Sequence, residues 1–201
     1  MLLDGPGFLL APRAAIWQRI DMKSAAQLLG IIVVLVLLAI GISFLLPAQT
    51  RQTRVLTLKQ TPGAVFTVLS DVEKFPTWNR NLEKTERLAP IDGKEAMKQT
   101  FKGGVAVTVV TTESLAPTHL VHTVRAGNGG NSFSGSWTYD VTPLNDGCDV
   151  VLTEKSYIAN PMLRLMMRLF GSTRYIDQHL VDLARHFGER PIIRSMPAER
   201  G

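Results

Sequence analysis

The chain has 201 residues, with 22 Lys and Arg against 17 Asp and Glu, and a formal net charge of +5 at pH 7. This mildly basic balance is too weak to indicate nucleic-acid binding. The single cysteine, Cys148, excludes a disulfide framework and a cysteine-based zinc site within one chain. About 150 residues follow position 50, which is the usual size of one domain. The composition therefore predicts one folded domain behind an N-terminal segment of different character.

That N-terminal segment contains one uninterrupted apolar run, Ala25 to Leu46, which carries no charged side chain. As a helix with a rise of ~1.5 Å per residue, the run is long enough to cross a hydrocarbon core of ~30 Å. It is apolar on every side, which argues against a buried core helix, and the sequence that follows Leu46 is a poor match to a signal-peptidase site. We therefore favour a membrane anchor over a cleaved signal sequence.

The flanks of the run do not decide its orientation, because three basic residues precede it and three follow it. Residues 1–24 are interpreted as an N-terminal extension, with Met22 as an alternative start, and residues 47–53 as a linker. The sequence thus predicts a single-pass protein of a bacterial cytoplasmic membrane and leaves open the side on which the soluble domain lies.

The soluble part begins with a β-type run, Arg54–Lys59, and continues into a helix that Thr61 caps and Pro62 opens. A second short helical segment, Val72–Phe75, follows. From Leu82 onward the sequence alternates with a period of two, and turn residues separate six candidate strands. The six are Lys84–Leu88, Ala96–Phe101, Val105–Ser114, His119–Arg125, Phe133–Thr142 and Val150–Ile158. Short turns between successive strands predict an antiparallel meander.

The last predicted element is a long helix, Met162 to Phe187, which starts behind Asn160-Pro161 and breaks at Gly171-Ser172. Residues 188–201 are interpreted as a polar tail. This helix is the only element large enough to cover an antiparallel sheet of six or seven strands. The sequence therefore predicts an α+β domain with a curved sheet over a C-terminal helix, between which an apolar ligand could bind.

Three stretches resemble the helix-grip fold of the START-like (SRPBCC) superfamily, whose bacterial branch is described as polyketide cyclase/dehydrase and lipid transport. The stretches are the first-helix motif Ala64–Asn79, the last hairpin Gly135–Tyr139 with Val150–Glu154, and the end of the gripping helix, Arg174–Leu183. The resemblance covers residues 54–187, and an apolar anchor ahead of the first strand also occurs in membrane-attached members. It implies a helix-grip fold and leaves the chemistry open, because the superfamily contains lipid carriers, receptors, cyclases and co-chaperones.

The sequence contains no G-x-S-x-G, H-E-x-x-H or Walker A motif, and we predict no cofactor and no metal site. His119 and His122 lie three apart in a strand and so point to opposite faces. His122, Glu113 and Glu154 are the catalytic candidates, because an inward histidine or carboxylate can act as an acid or base. The alternatives are a core histidine bonded to the backbone and glutamates that face outward.

Inward aromatic and apolar residues are predicted to line the ligand cavity, although core packing is the alternative for the aromatic ones. The predicted cavity residues are Trp78, Phe101, His122, Trp137, Tyr139, Met162, Met166 and Leu180. The segment Met162–Phe170 is apolar apart from Arg164 and Arg168. With Arg174, these arginines are predicted to face a membrane while the Met/Leu side enters the interface. The alternative is a helix with a buried apolar face and a solvated arginine face.

The sequence therefore predicts a membrane-anchored domain that binds a lipid or other apolar small molecule, with residues 162–170 controlling access. Two other classes stay open: a cyclase- or dehydratase-type enzyme that acts on a polyketide-like substrate, and an interaction module with a closed core. Convergent polar groups with shifted pKa values in the cavity would favour the enzyme. A core with no pocket of ~300 Å³ would favour the interaction module. The predicted partners are an apolar ligand and a membrane, with no nucleic acid; the oligomeric state is open.

Overall fold

The computed structural model describes residues 22–126, 133–170 and 173–196, and the chain forms two compact units, residues 1–39 and 40–201. The first unit contains most of helix α1, Met22–Leu45, whose large apolar side chains are exposed. Its segment Ser24–Leu45 is long and apolar enough to cross a membrane, and it is the one such helix in the described part of the chain. A signal sequence near the N-terminus would meet the same criterion.

The second unit is built on one antiparallel sheet of eight strands, in the order β2-β3-β4-β5-β6-β7-β1-β8. The strands are β1 Gln49–Leu58, β2 Leu82–Arg87, β3 Ala96–Phe101, β4 Ala106–Leu115, β5 His119–Ala126, β6 Phe133–Leu144, β7 Gly147–Ile158 and β8 Ile192–Ser195. Strands β2 to β7 pair in chain order, which confirms the predicted antiparallel meander. β1 then pairs with β7 along its whole length, and β8 pairs with β1.

Two parts of this sheet differ from the sequence-based prediction. β1 begins at Gln49 and so includes most of the segment that we interpreted as a linker. The polar residues at its start pair with β7 but form no apolar alternation, so the sequence pattern does not reveal this part of the strand. Residues 192–195 form the eighth strand inside the segment interpreted as a tail. β8 has only four residues, and Ile193 packs against the core while Ile192 stays exposed, so the alternation is too short to detect in the sequence.

The helices of the second unit are α2 Pro62–Ser70, α3 Phe75–Trp78, α4 Pro161–Phe170 and α5 Thr173–His186, with a 3₁₀ turn at Val72–Lys74. The Thr61 side chain caps α2 by accepting a hydrogen bond of 3.3 Å from the backbone N–H of Ala64. The predicted long helix is thus two helices, and the break predicted at Gly171-Ser172 lies outside the described residues.

Helix α5 fills the middle of the concave face of the sheet. Ile176, Leu180 and Leu183 are buried on its inner side and join one core cluster with residues of the strands and of α2. Burial of each such side chain contributes about 1.5–3 kcal/mol. The middle of the grip is therefore packed by protein, and open space lies toward the end where α4 meets α5.

Candidate functional site

A mostly apolar cavity of about 440 Å³ lies at that end of the grip. Its walls come from the start of β1, β4 and β6, the end of β3, β5 and β7, and helices α4 and α5. The lining residues are Leu46, Pro47, Ala48, Thr50, Phe101, Val105, Ala106, Val107, Val124, Ala126, Phe133, Trp137, Glu154, Ser156, Ile158, Leu163, Arg164, Met167, Arg168 and Tyr175. The volume falls within the range of ~300–1,000 Å³ that is typical of small-molecule sites.

Aromatic rings form one wall of the cavity. The structure places two of the predicted cavity residues, Phe101 and Trp137, in this wall. Tyr175 joins them: it stacks on Trp137 with ring centroids 5.6 Å apart and meets the edge of Phe101 at 5.4 Å. Such rings offer a large and rigid apolar surface to a ligand.

Glu154 is the acidic residue in the cavity lining. It lies opposite Trp137 in the β6–β7 register, and the alternation of β7 directs Glu154 and Ser156 to the concave face. Burial raises the pKa of the Glu154 carboxyl, and hydrogen bonding from the Trp137 side chain opposes that shift. A carboxyl whose pKa is raised can donate a proton or a hydrogen bond to a bound molecule.

The remaining polar wall consists of hydroxyl groups on neighbouring strands. Ser156 Oγ and Thr50 Oγ1 both line the cavity and lie 3.2 Å apart, within hydrogen-bond distance. Because these two hydroxyls satisfy one another, they add little polarity to the wall. The cavity therefore offers mainly apolar contacts, with one carboxyl as its main polar feature inside.

His122 lies in the packed middle of the domain rather than in the cavity lining. Its Nε2 lies 3.3 Å from the Leu69 carbonyl oxygen, and its Nδ1 lies 3.2 Å from Thr111 Oγ1. Burial lowers the pKa of His122 to about 4, and the backbone hydrogen bond to Leu69 opposes the shift. The neutral ring therefore donates from Nε2 and accepts at Nδ1, so that both nitrogens are bonded within the protein.

A second buried histidine, His179, lies on the inner face of α5. Its Nδ1 lies 3.0 Å from the Asn79 amide nitrogen, and its Nε2 lies 3.0 Å from the Tyr139 hydroxyl. Burial, with a smaller contribution from nearby His122, lowers the pKa of His179 to about 3. No sequence motif marks this cluster, although His179 falls three residues after Ile176 on the apolar face of α5.

Glu113 lies on the outer face of the sheet. Its carboxylate is 3.3 Å from His119 Nε2, and the other ring nitrogen of His119 lies 2.6 Å from Asp140 Oδ1. The hydrogen bond that the His119 ring donates to Asp140 is the main cause that raises the pKa of His119. These three side chains are at least partly exposed, and none lines the cavity.

Three more of the predicted cavity residues lie deeper in the domain. Tyr139 and Leu180 are buried in the core cluster, and Trp78 packs against that cluster with its ring centroid 4.8 Å from that of Phe75. Strand alternation identifies Tyr139 as inward-facing, and helical periodicity does the same for Leu180. Neither pattern indicates which residues face the open end of the grip.

Helix α4 presents its arginine side to the protein. Arg164 donates hydrogen bonds to the carbonyl oxygens of Ile158 at 2.8 Å, Leu46 at 2.9 Å and Ala159 at 2.9 Å. Arg164 and Arg168 both line the cavity. Arg164 therefore ties α4 to the end of β7 and to the segment that precedes β1.

The other side of α4 is exposed and apolar. Met162, Met166 and Leu169 are exposed and do not line the cavity, whereas Leu163 and Met167 do. This exposed apolar side differs from the alternative that we considered, in which the apolar face is buried, whereas Arg168 is exposed as in that alternative. The third predicted arginine, Arg174, is exposed and outside the cavity lining.

The described residues contain no group of three or more His, Cys, Asp or Glu side chains that could hold a metal ion. Cys148 does not line the cavity; its thiol is buried, and burial raises the pKa of the thiol to about 11.

Solved structures share this fold at low sequence identity. The Zhui aromatase/cyclase from a Streptomyces species has a TM-score of 0.56 and 15% identity, over 69% of this chain and 93% of that one. A conserved protein from Geobacillus kaustophilus has a TM-score of 0.56 and 15% identity, over 72% and 99%. A protein from Chromobacterium violaceum has a TM-score of 0.51 and 18% identity, over 70% and 97%. At these identities the similarity shows the fold alone.

No curated protein matches the chain. The family model for polyketide cyclase/dehydrase and lipid transport matches residues 49–188. This range includes strands β1 to β7 and the helices that cover the sheet, and it ends before β8. The match thus extends over the grip and over the cavity lining apart from Leu46, Pro47 and Ala48. The chain belongs to the polyketide cyclase/dehydrase and lipid transport family.

Proposed function

We propose that this protein binds a lipid or another apolar small molecule in the cavity between its sheet and helices α4 and α5. The observation that carries the proposal is the cavity itself, about 440 Å³ in volume and walled mainly by aromatic and aliphatic side chains. Burial of apolar ligand surface there would drive binding at roughly 25 cal/mol per Å². A volume of this size accommodates one acyl chain or a compact polycyclic molecule better than a whole two-chain lipid.

Membrane anchoring is the second part of the proposal. The apolar helix α1 ends at Leu45, and the next three residues, Leu46 to Ala48, line the cavity. If α1 is embedded in a bilayer, chain continuity keeps the cavity close to the bilayer surface. The exposed apolar side of α4, with Met162, Met166 and Leu169, would then enter the membrane interface and control access to the cavity.

Fluorescence quenching by bromine tests ligand binding at this site, because Trp137 lies in the cavity wall. The full chain in phosphatidylcholine nanodiscs is titrated with dibromostearyl alcohol, a neutral apolar probe. We expect saturable quenching that is lost in Trp137→Phe, which defines the background from the other two tryptophans. Ala106→Phe, which inserts bulk into the cavity wall, should weaken binding at least tenfold.

Ala89→Phe is the matched control, because Ala89 is exposed in the loop between β2 and β3 and does not line the cavity. It should bind the probe as the wild type does. Equal quenching in the wild type and in Trp137→Phe, or equal binding by Ala106→Phe and Ala89→Phe, would refute ligand binding in this cavity.

A second candidate is a cyclase- or dehydratase-type enzyme, and the position of Glu154 is the observation that favours it. This carboxyl lines the cavity, and burial raises its pKa, which favours the protonated form that a general acid requires. Against this candidate, His122 lies outside the lining and both of its ring nitrogens are bonded within the protein. The third candidate, a module with a closed core, is disfavoured by the volume of the cavity.

A further inference from the structure

Helix α4 carries two arginines, one turn apart, that both line the cavity but differ in their hydrogen bonding. The guanidinium of Arg164 is committed to three backbone carbonyl oxygens. Arg168 also lines the cavity and is exposed, and it makes no hydrogen bond or ion pair with any residue that the structure describes. A guanidinium at the rim of an apolar cavity, with its donors free, is a receptor for an anionic oxygen group.

The chain segment that carries Arg168 is basic, and the acidic residue just before that segment is Glu154 in the cavity wall. From position 155 to 176 the chain has four basic residues and no acidic one. The next acid, Asp177, is paired with Arg54 at 2.7 Å. Helix α5 also begins at this end, since Tyr175 in its first turn lines the cavity, and the first turn of a helix favours nearby negative charge.

The exposure of the cavity lining falls from rim to interior, and Arg168 lies at the exposed rim. The rim residues Val105, Leu163 and Met167 are exposed and surround the opening together with Arg168, whereas Val124 and Trp137 are buried walls. This gradient suits a molecule with a charged end and an apolar body.

We infer that the ligand is an anionic amphiphile whose carboxylate or phosphate is held by Arg168 at the rim while its apolar body fills the cavity. The inference rests on the proposed function, because it assigns a ligand class and an orientation to the same cavity. Arg168 is the residue that gives the cavity its preference for a charged end. Arg164 fixes the position of α4 and takes no direct part in that preference.

Three brominated probes with the same chain length test this inference: dibromostearyl alcohol, dibromostearate and dibromostearoyl lysophosphatidic acid. Quenching of Trp137 in the full chain in phosphatidylcholine nanodiscs is the readout. We expect at least one anionic probe to bind about tenfold tighter than the alcohol, as one charge-assisted hydrogen bond allows. The relative affinities of the carboxylate and the phosphate identify which of the two anions the rim prefers.

Arg168→Gln should remove this preference, so that the anionic probes bind no more tightly than the alcohol. Arg174→Gln is the matched control, because Arg174 is an exposed arginine nearby that does not line the cavity. It removes the same charge and should keep the preference, which separates direct contact from a general attraction to anionic molecules.

The outcomes distinguish failure of the inference from failure of the proposed function. Quenching by the alcohol without any preference for the anions, or an equal loss of preference in Arg168→Gln and Arg174→Gln, would overturn the inference alone. Absence of Trp137-specific quenching by all three probes would overturn the proposed function together with the inference.

Discussion

His122 and His179 are buried in the core of the domain and do not line the cavity. Each accepts and donates one hydrogen bond inside the protein, and burial keeps each ring neutral by lowering its pKa, to about 4 for His122 and about 3 for His179. Their imidazole rings fill a region where a charged ring would lose its hydration without gaining a counter-ion. The two residues therefore link the stability of the domain to pH.

We predict that the domain loses stability as the pH falls below about 6.5. An unfolded histidine takes up a proton near that value, whereas His122 and His179 stay neutral in the fold until about pH 4 or lower. The unfolded state thus binds more protons, and each histidine lowers the free energy of unfolding by about 1.4 kcal/mol per pH unit between these limits. Glu154 works in the opposite direction, because its pKa is raised in the fold.

Urea denaturation of the full chain in detergent, followed by near-ultraviolet circular dichroism between about pH 7 and 4.5, measures this slope. His122→Leu should reduce this slope by roughly half, because only one of the two buried histidines then contributes to the difference in bound protons between the unfolded and folded states. A free energy of unfolding that is flat over this range, or a slope unchanged in His122→Leu, would contradict the description of these rings as buried and neutral.

At the scale of elements, α4 is the part of the domain that connects the cavity to the segment after α1. Its position depends on Arg164, whose three hydrogen bonds end on carbonyl oxygens at Ile158, Leu46 and Ala159. Few other described contacts fix this helix, because most of its large apolar side chains are exposed. We therefore expect that α4 can open or shift locally while the sheet stays folded.

Arg164→Met tests this account of α4. It keeps the apolar stem and removes three charge-assisted hydrogen bonds, each of which contributes on the order of 1.5–3 kcal/mol. Amide hydrogen exchange should become at least tenfold faster in Pro161–Phe170 and remain unchanged in Thr173–His186. Arg168→Met, on the same helix, should leave exchange near the wild-type rate. Equal exchange in the two variants would show that α4 is held by other contacts.

The exposed side of α4 carries the prediction for membrane access. Met166→Asp places a charge on the face proposed to enter the interface, and it should slow transfer of the brominated alcohol from the bilayer several-fold while the final extent of quenching stays the same. Leu144→Asp is the matched control, since Leu144 is 45% exposed and Met166 is 48% exposed, and Leu144 lies at the β6–β7 turn away from the cavity.

Stopped-flow quenching of Trp137 in nanodiscs gives both the rate and the amplitude. Equal rates for the two aspartate variants would refute the membrane contact of α4. Global unfolding of Met166→Asp, but not of Leu144→Asp, would assign Met166 to the core instead.

At the scale of the whole molecule, the order of elements could be predicted from the sequence because the strands alternate clearly and turn residues separate them. β8 could not, since the partner that makes Ile192–Ser195 a strand is an edge of β1 more than 130 residues away. The limit has a physical cause: a four-residue strand gains its stability from pairing, which the local pattern does not contain.

The presence of an apolar cavity could be predicted from the sequence, but only some of its lining residues could. Alternation showed that Phe101, Trp137 and Tyr139 point inward, but the curvature of the sheet and the position of α5 decide that the first two face open space and the third is packed. The orientation of α4 was likewise not predictable, because Arg164 and Arg168 mark one side of the helix without indicating whether that side meets protein or solvent. Its orientation is fixed by the bonds of Arg164 to backbone carbonyl groups.

The most direct test of the central claim is the location of a ligand in the fold. Diffraction at the bromine absorption edge, from crystals of the full chain grown with dibromostearyl alcohol, would locate the two bromine atoms without assumptions about the rest of the ligand. We predict anomalous peaks inside the cavity, between Trp137 and the side of α4 that carries Leu163 and Met167. Bromine peaks confined to the outer surface of α4 or to α1, with the cavity closed by its own side chains, would contradict the account.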